Sequence, residues 1–270
     1  MLHWVDGQPA ASLPLVDRGL AYGDGLFETM AVQNGRPVLL ERHLARATAG
    51  CARLRIDLDA SRLRSEVSAF CAELGQGVAK LIVTRGDGQR GYAPSAGAPR
   101  HILQAGAMPA YPPQYAEHGI RLFPCETRLA EQPLLAGLKH LNRLEQVLAR
   151  AEWQAAEYAE GLMRDMSGRV IEGVFSNLFL VRDGVLSTPA LSRCGVAGVM
   201  RAELLEQARA LGITCQVRDI EMDELPGADE VFLCNSLYGV WPVRQLQACH
   251  WPVGPLTRKL QALARHLLDC

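Results

Sequence analysis

The stretch "GRVIEGVFSNLFLVRDGVLSTP", Gly168 to Pro189, decides the class of fold. Two apolar runs rich in β-branched and aromatic residues flank Asp183-Gly184, and such a pair between strand-like runs marks a tight hairpin. A second turn signal, "DMSG", stands just ahead of it, after the strand-like "EYAEGLMRD". Downstream, "TCQVRD" and "EVFLCN" read as further strands, and one helix is predicted from about Val199 to Leu211, stopped by Gly212. Strands dominate this half and few helices interrupt them. The class is therefore α+β, or mixed α/β, and not a doubly wound parallel sheet.

The first part of the chain reads differently. "RHLARATAGCARL" and "SRLRSEVSAFCAELG" carry apolar residues at helical spacing, the second ending at Gly75, while "VAKLIVT" and "HILQAGA" read as strands. Between those strands lies "RGDGQRGYAPSAGAP", Arg85 to Pro99, a loop of a length that usually carries function. The proline-dense "MPAYPPQ" interrupts both periodicities and marks a linker. The expected organisation is a small N-terminal α/β domain over residues 1–107, a linker over 108–114, and a larger β-rich domain over 115–270.

With 28 basic and 29 acidic residues the chain lacks the one-sign excess of a nucleic-acid or anionic-membrane binder, which leaves a small molecule as the expected partner. No run of roughly 18 apolar residues suggests a membrane span, and "MLHWVDGQPA" lacks the order of a secretion signal. A cytoplasmic location is expected. The eight cysteines are widely spaced, with no C-x-x-C pair, no H-E-x-x-H helix and no histidine cluster, so reduced thiols and no metal site are expected.

Chemistry is suggested first by "GLKHLNRLEQVLAR", Gly137 to Arg150. Asn142 with Glu145 three residues later matches a capping box and predicts a helix start at Asn142. Lys139, the one lysine of this stretch, falls in the extended approach to that helix, between Leu138 and Leu141. It is either an exposed loop lysine or a partly desolvated amine able to attack a carbonyl. Its neighbour His140 is expected on the opposite face of the extended segment. Glu172, between an apolar strand and a glycine, needs a cationic partner, either a neighbouring arginine or a pyridinium. In "GVAGVMRAELLEQARALG", Gly198 stands at a helix N-cap, so the amides of Val199 and Met200 form either a plain surface terminus or an anion cradle.

In this order, "DRGLAYGDGLFETMAV", "RHLARA", "VTRGDGQRGY", "KHLNRLEQVLAR", "IEGVFSNLFLV", "GVAGVMR" and "VFLCNSLYGVWPV" resemble the fold-type IV pyridoxal-phosphate enzymes across nearly the whole chain. That group includes branched-chain and D-amino-acid aminotransferases and 4-amino-4-deoxychorismate lyase, and "GLKHLNRLEQVLAR" and "RGDGQRGY" look like the lyase in particular. The resemblance implies a two-domain homodimer with pyridoxal 5'-phosphate as cofactor. It makes Lys139 the aldimine lysine and Glu172 the partner of the pyridine nitrogen. Arg46, the amides of Val199 and Met200, and the side chains of Asn235 and Ser236 would hold the phosphate. Met200 stands where the aminotransferases carry threonine, so a hydroxyl contact is missing. Thr29 would face the lysine as a second catalytic residue, and Arg90, Tyr92 and Tyr22 would contact substrate.

The implied reaction converts 4-amino-4-deoxychorismate to 4-aminobenzoate, a folate precursor, and pyruvate. It would run through an external aldimine, proton abstraction by Lys139 and elimination of enolpyruvate. A D-amino-acid or branched-chain aminotransferase would share every cofactor residue and differ on the substrate side. A non-catalytic protein that stores the cofactor is the third reading, against which Thr29 and Arg90 stand.

Overall fold

The computed structural model describes residues 2–94 and 97–269, so Met1, Cys270 and the loop residues Ser95 and Ala96 lie outside the described residues. Mixed α/β architecture is present in two compact units. One gathers Met1–Pro109, Leu138–Asn142 and Leu268–Cys270; the other gathers Ala110–Gly137 and Arg143–Leu267. The short segment around Lys139 thus clusters with residues distant in sequence.

The first unit runs β1 (His3–Val5), β2 (Gln8–Pro9), α1 (Arg18–Tyr22), β3 (Gly25–Gln33), β4 (Arg36–Pro37), α2 (Leu40–Leu54), α3 (Ala60–Leu74), β5 (Gly77–Thr84) and β6 (Arg100–Gly106). Its six-stranded sheet has the order β2-β1-β6-β5-β3-β4. Asp17 caps α1 by accepting from the amides of Gly19 and Leu20, and Asp59 caps α3 through those of Ser61 and Arg62. Leu63, Val67 and Phe70 of α3 and Leu44 and Ala47 of α2 are buried, as their helical spacing requires. On β3, Leu26, Glu28 and Met30 are buried on one face, while Phe27 and Thr29 occupy the other and are only half-buried.

The second unit runs α4 (Gln114–His118), β7 (Ile120–Leu129), α5 (Leu144–Ala151), β8 (Tyr158–Asp165), β9 (Val170–Gly173), β10 (Asn177–Arg182), β11 (Val185–Pro189), α6 (Val199–Ala210), β12 (Cys215–Arg218), β13 (Glu230–Asn235), β14 (Gly239–Leu246), β15 (Cys249–His250) and α7 (Pro255–Asp269). Its nine-stranded sheet has the order β12-β11-β10-β13-β14-β7-β8-β9, with β15 on β14. A further pairing of β9 with β10, Asn177 opposite Glu172, closes the strands from β10 to β9 into a barrel. The β10–β11 hairpin turns through Asp183 at φ 51° and Gly184 at φ 74°, the double positive-φ turn that Asp-Gly favours. Leu178, Leu180, Val231, Leu233 and Trp241 are among the apolar side chains that fill the larger core of this unit.

Two features depart from the pattern read in the sequence. Helix α5 starts at Leu144 behind an Arg143 N-cap that makes no side-chain cap, instead of at Asn142. The capping box does not form because Asn142 donates from Nδ2 to Gly23 O (3.2 Å), and Glu145 Oε1 accepts from the Ala130 amide (2.8 Å). Helix α7, whose apolar residues Leu260 and Ala264 are fully buried, has helical spacing that the sequence reading passed over. All seven described cysteines are free, and burial pushes the thiols of Cys51, Cys71, Cys125, Cys194 and Cys234 up to about 12.

Glu160 of β8 is a fully buried carboxyl that fixes the turn between β9 and β10. Its Oε1 accepts from the amides of Gly161 (2.9 Å) and Val174 (3.0 Å), and its Oε2 from the Phe175 amide (3.3 Å) and Ser176 Oγ (2.7 Å). Burial raises its pKa to about 7 from 4.5, against the pull of those four donors. The stability contributed by the neutral form is therefore complete below pH 4.5 and is lost as pH rises through 7. Glu160→Gln keeps one oxygen but turns an amide toward the Phe175 N–H, at a cost of about 2 kcal/mol. Thermal melts followed between pH 4 and 8 should show a melting temperature lower by about 5 °C, and the variant should lose the slope across that window. A variant that melts with the parent at every pH refutes the role of this carboxyl.

Candidate active site

Backbone pairing positions Lys139 in the first unit. The Phe27 amide donates to Lys139 O (2.9 Å), and the Leu141 amide to Gly25 O (3.0 Å), which lays residues 139–141 antiparallel along the start of β3 with His140 opposite Leu26. Paired residues share a face. Lys139 accordingly stands with Phe27, its Nζ 4.4 Å from the ring centroid, while His140 goes with Leu26 to the other side. Leu138 is buried and Lys139 half-buried, so its ammonium is partly withdrawn from water on an aromatic face.

Thr29 lies on the Phe27 face of β3, and its partner across the sheet is Lys80 of β5. The Lys80 Nζ is 5.5 Å from the same Phe27 ring and has no carboxylate partner among the described residues. Two amines and a hydroxyl therefore share one strand face. Lys80 was not singled out in the sequence, although a lysine in the otherwise apolar "VAKLIVT" is a detectable signal.

Arg46 of α2 reaches the opposite face of β3. Its Nε donates to Glu28 Oε1 (2.7 Å) and its Nη2 to Glu28 Oε2, and His43 Nδ1 meets the same Oε2 at 2.6 Å. Burial of Glu28 alone would raise its pKa, but the Arg46 charge and the hydrogen bonds from His43 and Arg46 hold it down to about 2. His43 is lowered chiefly by burial, against the hydrogen bond to Glu28; the charges of Arg46 and Lys139 push the same way as burial.

The three expected substrate contacts belong to one loop and its support. Tyr22 Oη accepts from the Gly91 amide (2.9 Å), and its ring lies 5.7 Å from that of Tyr92, which is 88% exposed. Arg18, absent from the sequence reading, donates to the carbonyls of Gly91 (3.0 Å), Tyr92 (3.3 Å) and Ala93 (3.4 Å) and so gathers the loop. Arg90 is exposed in that loop.

In the second unit Glu172 is 3% exposed at the seam of the barrel. Its Oε2 accepts from the Val196 amide (2.8 Å) and from Asn177 Nδ2 (3.4 Å), while Asn177 also donates to Val196 O (2.9 Å). Its charge acts on the half-buried Arg143 and the buried Arg201, whose pKa values desolvation lowers. Arg201 is itself held by Thr188 Oγ1 (3.0 Å) and Pro189 O (2.9 Å). Asn177 and Arg201 escaped the sequence reading, where nothing separates them from ordinary strand and helix residues.

Helix α6 begins at Val199 with Gly198 as N-cap and no side-chain cap, so the first-turn amides of Val199 and Met200 point off the positive end of a helix. A Cβ at position 198 would run into Asn177 Oδ1, which is why glycine stands there. Asn235 is committed locally: its Oδ1 accepts from the amides of Leu237 (2.9 Å) and Tyr238 (3.0 Å), and its Nδ2 donates to Phe175 O (3.3 Å). Its side chain thus shapes the turn that presents the half-buried Ser236. Among the described residues no group of three or more His, Cys, Asp or Glu side chains could hold a metal ion.

The family model described as "Amino-transferase class IV" matches residues 25–246. The aminodeoxychorismate lyase of Vibrio harveyi is 41% identical over 267 residues, spanning 96% of this chain and 98% of that protein. The crystal structure of 4-amino-4-deoxychorismate lyase from Pseudomonas aeruginosa is 66% identical, with a TM-score of 0.98 and 100% of both chains covered. A D-alanine aminotransferase of Bacillus licheniformis is 28% identical over 268 residues, 96% of this chain and 93% of its own. By the span of the family model and the identity to full-length relatives, the chain belongs to the class IV aminotransferase family.

Proposed function

We propose that this chain is a pyridoxal-phosphate-dependent lyase that converts 4-amino-4-deoxychorismate to 4-aminobenzoate and pyruvate. The observation that carries this reading is the 66% identity, over the full length of both chains, with the lyase of Pseudomonas aeruginosa. The residues present suit the cofactor. A buried carboxylate held by two donors at Glu172, an uncapped helix start that only glycine allows at Gly198, and a half-buried amine at Lys139 are what a pyridine nitrogen, a phosphate and an aldehyde require.

When bound, pyridoxal phosphate supplies an aldehyde for the substrate amine and a protonated ring that takes up electrons. Glu172 keeps the pyridine nitrogen protonated. Arg46 and the amides of Val199 and Met200 hold the phosphate, with Ser236 beside the turn that Asn235 shapes. The amine of Lys139 removes the proton from the substrate ring carbon that bears nitrogen. Departure of the enolpyruvyl oxygen from the adjacent carbon makes the ring aromatic, and Lys139 returns a proton to the enolpyruvyl carbon to give pyruvate. Thr29 orients the substrate amine. Arg90 and Lys80 pair with the substrate carboxylates, and Tyr92 and Tyr22 cover the ring.

In this reading residues 1–107 form the small domain, 108–114 the linker and 115–270 the cofactor-binding domain; the product feeds folate biosynthesis and the protein works in the cytoplasm. No helix among the described residues is long and apolar enough to cross a membrane. A homodimer completes the reading, supported by the exposed apolar side chains of Leu144, Val147 and Leu148 on α5.

The test is to supply the holoprotein with 4-amino-4-deoxychorismate or with D-alanine and branched-chain amino acids. Release of pyruvate and 4-aminobenzoate from the first supports the lyase; rapid turnover of the amino acids without that release rejects it. Lys80→Met should raise KM for 4-amino-4-deoxychorismate about 10- to 100-fold and leave kcat within a few-fold, since it removes a charge that binds ground and transition states alike. Steady-state kinetics showing an unchanged KM would remove Lys80 from the substrate site.

A further inference from the structure

Glu28 does not share the face of Lys139 and Thr29, yet it is 2% exposed and tied to two basic side chains of α2. An ionised carboxylate so deep in a small unit is costly unless its partners are well placed, and such a cost is tolerated where it fixes geometry. Arg46 meets it through one edge of the guanidinium, Nε to Oε1 and Nη2 to Oε2, so the plane of the guanidinium is set by the carboxylate. His43, fully buried, holds Oε2 from a second direction and prevents the carboxylate from rotating. The strand fixes the rest, because period-two alternation that sends Phe27 and Thr29 to the Lys139 side sends Glu28 to α2.

We propose that Glu28 is a positioning residue for the cofactor phosphate: with His43 it orients the Arg46 guanidinium before the phosphate arrives. This rests on the assignment of Arg46 to the phosphate. Glu28 itself touches neither cofactor nor substrate and acts through Arg46 alone. Its removal therefore leaves the aldehyde and pyridine contacts intact and weakens only the hold on the phosphate.

The discriminating measurement compares two ligands, pyridoxal 5'-phosphate and pyridoxal, titrated onto the full-length apoprotein and followed by visible absorption. Glu28→Gln should raise the Kd for pyridoxal phosphate about 10- to 100-fold and leave that for pyridoxal unchanged. Arg46→Gln should do the same, and the double variant should add little to either. His43→Gln, which keeps the carboxylate, should give a smaller loss of the same kind and serves if Glu28→Gln does not fold. Equal losses for the two ligands, in whichever variant folds, would reduce Glu28 to a packing role and overturn the inference. Loss of phosphate selectivity in Arg46→Gln alone would overturn it while sparing the Arg46 assignment. No change in selectivity in either variant would remove Arg46 from the phosphate and both ideas with it.

Discussion

Lys139→Ala should lower the rate of pyruvate release from 4-amino-4-deoxychorismate by about 10⁴-fold, the largest effect expected of any single substitution. In the proposed scheme this amine takes a proton from one carbon and gives one to another, and no second base is assigned to either transfer. Lys80 does not rescue it: its Nζ approaches the Phe27 ring from another strand, at 5.5 Å against 4.4 Å for Lys139, and its assigned work is to bind a carboxylate. The fold should survive, because Lys139 is held through its backbone carbonyl, which alanine retains. Two measurements decide the point. Pyruvate can be followed with a coupled dehydrogenase, and borohydride reduction of the holoprotein followed by peptide mapping should label residues 137–150 in the parent and nothing in the variant. Label on another lysine, or turnover close to the parent's, ends the proposal.

Glu172→Gln should reduce kcat by about 10²- to 10³-fold, as loss of one preorganised electrostatic group does elsewhere. A carboxylate beside a heterocyclic nitrogen favours its protonated form, whereas a neutral amide does not. Glutamine is the informative replacement because its oxygen can still accept from the Val196 amide, which preserves the local packing. The absorption of the bound cofactor should shift with the loss of ring charge while its affinity, carried largely by phosphate contacts, falls much less. If kcat stays within a few-fold of the parent and the spectrum does not move, Glu172 does not govern the pyridine nitrogen.

Much of the fold was legible because it obeys local rules. Asp183-Gly184 turns where Asp-Gly should, and α2, α3 and α6 follow their apolar spacing. The start of α5 was misread for a physical reason: Asn142 and Glu145 have the types and spacing of a capping box, but each has a stronger claim elsewhere, at Gly23 and Ala130. Tertiary partners of that kind leave no trace in a five-residue window.

Candidate site residues divide in the same way. Lys139 and Glu172 were visible because each is a charged residue in an apolar setting, and Gly198 because it opens a helix. Lys80 carries the same signal in "VAKLIVT"; Arg18, Asn177 and the pair Glu28–His43 carry none, since their roles depend on contacts between elements far apart in sequence. Asn235 was visible for what it sits beside; its side chain is spent on the turn itself.

Asn177 opposite Glu172 is the pairing at which β9 meets β10 and the strands close on themselves. In the proposed chemistry the same acid sets the charge of the heterocycle. Architecture and reactivity thus meet at one position: a descendant that discards this carboxyl to abandon its reaction keeps the backbone clasp of its barrel but must find new partners for the Val196 amide and the Asn177 side chain. Laboratory evolution toward other chemistries will travel more easily through the loop gathered by Arg18 than through that clasp.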